Sequence, residues 1–266
     1  MRLDIYLVQG QWFSSRTQAA EAIRKGWVKL DNKRITKPSF IVDENAPHQV
    51  EIATDELCPY VSRGGLKLEK AIYDFGFHFE GCLVLDIGAS TGGFTHCALN
   101  HGASRVWAID VGTSQLHPLL RADSRVMSLE NTDIRTLNPQ TVLIPCVDWV
   151  VCDVSFISLR HIIPHIPRFL KPEGGAILLI KPQFEAGPEN LNKGGLVKKK
   201  SVHKKIIRDF VAWIEETGYQ LRGFTYAPLQ GKDHNIEYLA FIHAHGAQRV
   251  EVERVVDEAF KGNGWE

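Results

Sequence analysis

Val84-Leu85-Asp86-Ile87-Gly88-Ala89-Ser90-Thr91-Gly92-Gly93-Phe94-Thr95 reads as a buried strand that stops at an acid, turns through glycine and enters a helix. In an open α/β sheet, such a strand-to-helix turn begins the binding crevice at the carboxyl edge. The site is expected here. Ordinary glycines at a strand-helix turn look much the same, but a second acid favours a ligand. The next apolar strand, Arg105-Val106-Trp107-Ala108-Ile109-Asp110, ends in that acid, 24 positions after Asp86.

What is present and what is missing bound the ligand. A turn that cradles a pyrophosphate aims backbone N–H groups at anionic oxygens, and a carboxylate at its mouth would repel them. Here the glycines Gly88, Gly92 and Gly93 are spaced GxxxGG, with Asp86 at the strand end. That pattern suits a cationic cofactor without phosphate. S-adenosylmethionine fits, because its sulfonium and amino groups favour nearby negative charge and its carboxylate can take loop or helix amides. Asp110 can accept both hydroxyls of a ribose, which by itself does not separate this cofactor from a dinucleotide.

At 266 residues the chain is long enough for one large α/β domain and a small one. A composition of 44% hydrophobic and 23% charged residues belongs with soluble globular proteins rather than disordered ones. No apolar run approaches the roughly 20 residues that cross a bilayer, and Asp4 stands where a signal peptide begins its apolar region. A cytoplasmic location is expected, with no membrane partner. The five cysteines form no CxxC pair, so free thiols are expected and a metal site is not. Net charge is zero, so a nucleic-acid surface has to arise from local clustering.

Such clustering occurs near the start. Residues 14–26 read as an amphipathic helix ended by Gly26, followed by strand-like pieces at 27–30, 40–42 and 48–52, with Asp31-Asn32 as the turn between the first two. Between residues 14 and 40 there are seven basic residues against two acidic ones, whereas 41–57 holds five acids and no Lys or Arg. Arg16, Arg24, Lys25, Lys33 and Arg34 are therefore candidates for tracking an RNA backbone, although a solvated face has the same composition.

A polar stretch ending in Pro59 reads as a linker, and beyond it strands and helices alternate as in a doubly wound parallel sheet. Strands are expected at 83–85, 106–109, 149–152, 176–180, 223–227 and 238–243, and helices at 94–100, 159–169 and 203–217. A last helix carries Val252, Val255, Val256, Ala259 and Phe260 on one face. Asp153 and Lys181 follow strands and should face the crevice; Glu237 reaches the same edge if its strand runs antiparallel, and Lys67 can add a second ammonium. A lysine among carboxylates suits alkylation of a hydroxyl, since it can stabilise the developing alkoxide or remove the proton. Asp153-Val154-Ser155-Phe156 replaces the Asn/Asp-Pro-Pro-aromatic turn common in methylases of exocyclic amines, so oxygen is the expected acceptor. A structural ion-pair network fits the same residues equally well.

Four stretches together resemble the TlyA, or haemolysin A, family: Tyr60-Val61-Ser62-Arg63-Gly64-Gly65-Leu66-Lys67-Leu68, Asp86 to Thr95, Asp153-Val154-Ser155-Phe156-Ile157-Ser158-Leu159 and Lys181-Pro182-Gln183-Phe184-Glu185. The resemblance runs over nearly the whole chain. It implies an α/β fold, with a small N-terminal α+β RNA-binding domain of alpha-L motif type (1–53), a linker (54–61) and a Rossmann-like class I, FtsJ-like methyltransferase domain (62–266). It implies S-adenosylmethionine-dependent 2′-O-methylation of cytidine in ribosomal RNA, with ribosomal RNA or a ribosomal subunit as partner. The family's Lys-Asp-Lys-Glu tetrad falls on Lys67, Asp153, Lys181 and Glu237, with Lys181 acting on the hydroxyl. Cofactor contacts fall on Asp86, Gly88, Ser90, Gly92, Asp110 and, near the adenine, Asp133. His96 stands where the family usually has Asp.

Lys198, Lys199 and Lys200 follow Lys193-Gly194-Gly195 and are expected to form a mobile basic loop that contacts RNA phosphates. Two rivals to an enzyme remain at this point: a non-catalytic ribosome-binding or assembly factor, and a membrane-active haemolysin.

Overall fold

A computed structural model of the chain describes residues 1–266 except positions 11, 14, 45, 47, 53–57, 229–233, 247–249 and 266, and except the side chain of Gln18. It divides into two compact units, Met1–Pro59 and Tyr60–Glu266. Positions 54–57 of the expected linker lie outside the described residues.

In the first unit, helices α1 (Leu3–Gln9) and α2 (Arg16–Arg24) share a core with a three-stranded antiparallel sheet of order β2-β1-β3. The strands are β1 (Val28–Leu30), β2 (Lys33–Ile35) and β3 (Val50–Ile52). Leu3 and Leu7, one turn apart on α1, meet Ala19 and Ile23 of α2 and Val28 and Leu30 of β1. The Asp31-Asn32 turn joins β1 to β2, not to residues 40–42 as expected. Both turn residues have positive φ, 52° and 64°, which folds the chain straight back on itself. Lys33–Ile35 therefore becomes the partner, and only Ile41 of the expected strand makes a bridge, to Arg2.

The second unit is built on seven strands: β4 (Leu83–Ile87), β5 (Arg105–Ile109), β6 (Val126–Leu129), β7 (Val147–Cys152), β8 (Leu170–Ile180), β9 (Gln220–Tyr226) and β10 (Tyr238–His243). Their order is β6-β5-β4-β7-β8-β10-β9, and β10 runs antiparallel to both its neighbours. Winding reverses at β4, which lies between β5 and β7, so the crevice opens beyond its carboxyl end. The helices are α3 (Gly64–Phe75), α4 (Gly93–Asn100), α5 (Pro118–Arg121), α6 (Pro182–Glu185), α7 (Lys200–Glu216) and α8 (Val252–Asn263). Ile207, Phe210 and Ile214 of α7 and Val256, Ala259 and Phe260 of α8 are buried in one cluster with Leu85, Val150, Leu178 and Ile242 of the sheet.

Two expectations fail for local reasons. Residues 159–169 form two 3-10 segments, Leu159–His161 and Ile163–Arg168, because Pro164 and Pro167 lack the N–H that an α-helix needs. Strand β6 was not foreseen. It is four residues at the sheet edge with Met127 and Ser128 exposed, too short and too mixed for a period to show.

Candidate active site

The turn after β4 works because two glycines permit close approach. Gly88 has φ 82°, and a Cβ on it would lie 2.7 Å from the Asp153 carbonyl oxygen. A Cβ on Gly93 would lie 2.3 Å from Ser62 Oγ and 2.9 Å from Gly65 N, so the Arg63-Gly64-Gly65 turn closes on the start of α4 only because that atom is missing. Two adjoining cavities result. One, about 310 Å³, is lined by Arg63, Lys67, Phe94 and Lys181; the other, about 530 Å³, by Ile109, Asp110, Val111, Asp133 and Ile157. Gly88, Ser90, Asp153 and Ser155 line both.

Four of the six expected cofactor residues, Gly88, Ser90, Asp110 and Asp133, face the larger cavity. Asp110 is held by the N–H groups of Ser90 and Gly112, at 2.8 and 2.7 Å. Asp133 accepts from the Arg135 guanidinium on both oxygens, which holds its carboxyl below the usual carboxylate range. The other two stand behind that lining. Asp86 is fully buried, lines neither cavity and accepts from Thr95 Oγ1 at 2.6 Å, while its Oδ1 has no hydrogen-bond partner among the described residues. Its side chain turns under the loop towards α4. Burial pushes its carboxyl up to about 7, against the Thr95 hydrogen bond and with help from the charges of Asp153 and Asp110. Gly92 also lies outside the cavities, because its Cα faces Leu116 and Leu120.

Opposite the glycine turn, two ion pairs converge. Lys181 follows β8 directly, and Tyr238 pairs with Ile180, so the antiparallel β10 brings Glu237 to the same edge. Lys181 Nζ lies 2.6 Å from Asp153 Oδ1 and donates to Ser155 Oγ at 2.8 Å. Lys67 Nζ donates to Glu237 Oε2 at 2.6 Å. Burial disfavours the Lys67 charge, but Glu237 and Asp153 outweigh it and raise the pKa, so Lys67 is a fixed ammonium. Both lysine side chains are at most 13% exposed, yet both line the smaller cavity.

Other participants were not singled out from the sequence. Phe156 is 91% exposed, has φ 63° and rests on Phe184, at the mouth of the larger cavity. Glu185 accepts from Ser158 Oγ at 2.6 Å and from the Leu159 N–H at 2.8 Å, tying the segment after β7 to α6. The polar residues of Asp153-Val154-Ser155-Phe156-Ile157-Ser158 were the available signal, but only pairing across the fold gives them roles. His96 accepts from the Val61 N–H at 3.1 Å and meets the Tyr60 ring edge-on, so this departure from the family pattern fastens the start of the unit.

Of the candidate RNA contacts, Arg16, Arg24, Lys25, Lys33 and Arg34 are exposed. Arg16 and Arg2 both bind buried Asp4, and Arg34 donates to the Lys25 carbonyl, which places it beside Lys25. The segment of the expected basic loop makes several hydrogen bonds. Asn192 Oδ1 accepts from Gly194 and Leu196, Asn235 bonds Val197 N–H and Gly195 O, and His203 bonds Val197 O. Lys198 and Lys199 are exposed on this turn, whereas Lys200 is half-buried, over the Phe260 ring and 3.6 Å from Asp257.

Residues 60–243 match the FtsJ-like methyltransferase family, and residues 1–47 match the S4 domain. A candidate rRNA methyltransferase of Bacillus subtilis strain 168, YqxC, is 39% identical over 98% of this chain and 94% of its own. The 16S/23S rRNA (cytidine-2′-O)-methyltransferase TlyA of Mycobacterium tuberculosis is 37% identical over 91% of this chain and 89% of its own. The chain belongs to the TlyA family. A solved structure of a candidate hemolysin from Streptococcus thermophilus superposes on this TlyA-family chain with TM-score 0.77 at 36% identity, covering 100% of this chain and 98% of the other. The TlyA-family architecture, an S4 domain before a methyltransferase fold, is thus the one expected from the sequence. Among the described residues no helix is long and apolar enough to cross a membrane.

Proposed function

We propose that this chain transfers a methyl group from S-adenosylmethionine to the 2′-hydroxyl of cytidine in ribosomal RNA. The observation that carries the reading is the convergence of the Lys181–Asp153 and Lys67–Glu237 pairs on a cavity that adjoins the Asp110 pocket.

The pocket suits the cofactor. Asp110, fixed by two backbone amides, offers carboxylate oxygens to ribose hydroxyls, and Ile109, Val111 and Ile157 offer apolar walls to a purine. Asp133, charged and clamped by Arg135, suits an exocyclic amine. When bound, the cofactor supplies a methyl carbon on a positive sulfur, whose carbon–sulfur bond breaks with its electron pair going to sulfur.

Lys181 meets the RNA 2′-hydroxyl, whose oxygen forms the new bond to carbon while its proton passes to the amine form of Nζ and then to water. Asp153 holds Nζ in place, and Lys67 with Glu237 keeps a fixed charge pair beside it. Phe156, exposed at the mouth, suits stacking of a nucleobase turned out of its helix. The S4 unit, with Arg24, Lys25, Lys33 and Arg34 exposed, suits the RNA backbone.

Ribosomal subunits from cells lacking the protein, incubated with tritiated S-adenosylmethionine, should gain label mapping to cytidine 2′-O-methyl, and Lys181→Ala should abolish it. No incorporation by intact protein that still binds subunits would make it a binding or assembly factor. Leakage from anionic liposomes without methyl transfer would favour the haemolysin reading.

A further inference from the structure

We propose that Ser155 is a positioning residue that sets the direction in which Lys181 meets the acceptor hydroxyl, an inference that rests on the methyl-transfer reading above. A lysine nitrogen has three directions beyond its bond to Cε. Ser155 Oγ accepts a hydrogen bond along one of them at 2.8 Å, whereas Asp153 Oδ1, 2.6 Å away, balances the charge without hydrogen-bond geometry. The remaining directions are left for a substrate oxygen.

Either protonation state can use a remaining direction, the ammonium with an N–H and the free amine with its lone pair. Nζ otherwise turns freely about its bond to Cε. One directional hydrogen bond, to Ser155, stops that rotation and so fixes where the other two directions point.

Ser155 is placed for this task. It lines both cavities, so its hydroxyl sits where the cofactor side meets the acceptor side. It lies two residues after Asp153 on a segment tied to the chain beyond β8 at two further points, by Phe156 against Phe184 and by Ser158 and Leu159 on Glu185. A hydroxyl also directs without adding charge. Asp153 compensates the lysine, whereas a second carboxylate here would pull the ammonium away from the substrate.

The experiment compares wild type, Ser155→Ala and Ser155→Thr by two readouts. The first is methyl transfer to ribosomal subunits that lack the modification, with kcat and both KM values. The second is competitive acetylation of Lys181, followed by mass spectrometry without cofactor or RNA. Ser155→Ala should lower kcat roughly 10- to 100-fold, as a misplaced catalytic group does, with both KM values nearly unchanged. It should also raise Lys181 acetylation several-fold while leaving Lys67 alone. Threonine, which restores the hydroxyl, should reverse both effects. An unchanged kcat, unchanged acetylation, or a loss confined to the KM for S-adenosylmethionine overturns the proposal. If wild type transfers no methyl to RNA, the functional reading fails, while the acetylation pattern still reports whether Ser155 orients Lys181.

Discussion

The Phe184 ring rests on Phe156, centroids 5.2 Å apart and planes inclined by 46°, although the two residues follow different strands. The contact steadies an aromatic side chain that is otherwise in solvent and whose backbone sits in the left-handed region. Strain of this kind is usually retained for function. Phe156→Ala should therefore leave the melting temperature and cofactor binding almost unchanged. It should weaken methylation of RNA roughly 5- to 100-fold, the value of one base–aromatic stack. Parallel calorimetry and methyl-transfer assays check both halves.

Removing Lys181 should be costlier for chemistry than for folding. Lys181→Met keeps the stem but leaves Asp153 without its cation, and it should reduce kcat by roughly 100- to 10,000-fold while cofactor binding persists. Isothermal titration with S-adenosylmethionine separates the two effects; parallel loss of binding would mean that Lys181 supports the pocket instead.

Glu185 is mostly enclosed, and both its oxygens are engaged. Glu185→Ala leaves the Ser158 hydroxyl and the Leu159 amide without acceptors, at a cost on the order of 1–3 kcal/mol. Urea denaturation should show the loss, and methylation should fall as the segment carrying Ser155 and Phe156 loosens. Unchanged stability would mean that solvent replaces the carboxylate freely.

Most of the sheet and the place of the crevice were legible because both follow from local pattern: apolar runs, glycine at a turn, acids at strand ends. The two ion pairs at the smaller cavity were legible as residue types but not as partners. Glu237 belongs to the site only because β10 is antiparallel, a property of sheet order that residues 237–243 do not encode. Asp86 was legible as the acid near the end of an apolar run, but its burial and its hydrogen bond to Thr95 depend on how β4 and α4 pack together. Phe156 was hidden because an exposed aromatic and a core aromatic have the same letter.

His203 should make stability depend on acid. It is buried between Tyr238 Oη and the Val197 carbonyl, and burial lowers its pKa from 6.5 to about 4, against the pull of the Val197 hydrogen bond. Its folded-state pKa is below the unfolded value, so the associated stability is complete above pH 6.5 and is lost as pH falls towards 4. The loss is on the order of 3 kcal/mol. The urea-stability gap between wild type and His203→Gln should narrow from pH 7 to 4.5; a constant gap would show that His203 is not the group that titrates.

The basic turn gives a contrast within one run of lysines. Lys198→Gln with Lys199→Gln should flatten the salt dependence of RNA binding by about 1.5 in log–log slope, whereas Lys200→Gln should leave it unaltered, since that ammonium already faces Asp257. Filter binding across a salt series reads this directly. Equal effects of all three would return Lys200 to the RNA side.

Lys67 and Glu237, in direct contact, are 170 residues apart in sequence, and the acid reaches its partner only when β10 has slotted between β8 and β9. A ribosome making this protein has to release nearly the whole polypeptide before the pair exists. Fraying of that final hairpin would likewise silence the enzyme while the glycine crevice stayed whole, so a molecule can hold its methyl donor and still be unable to spend it.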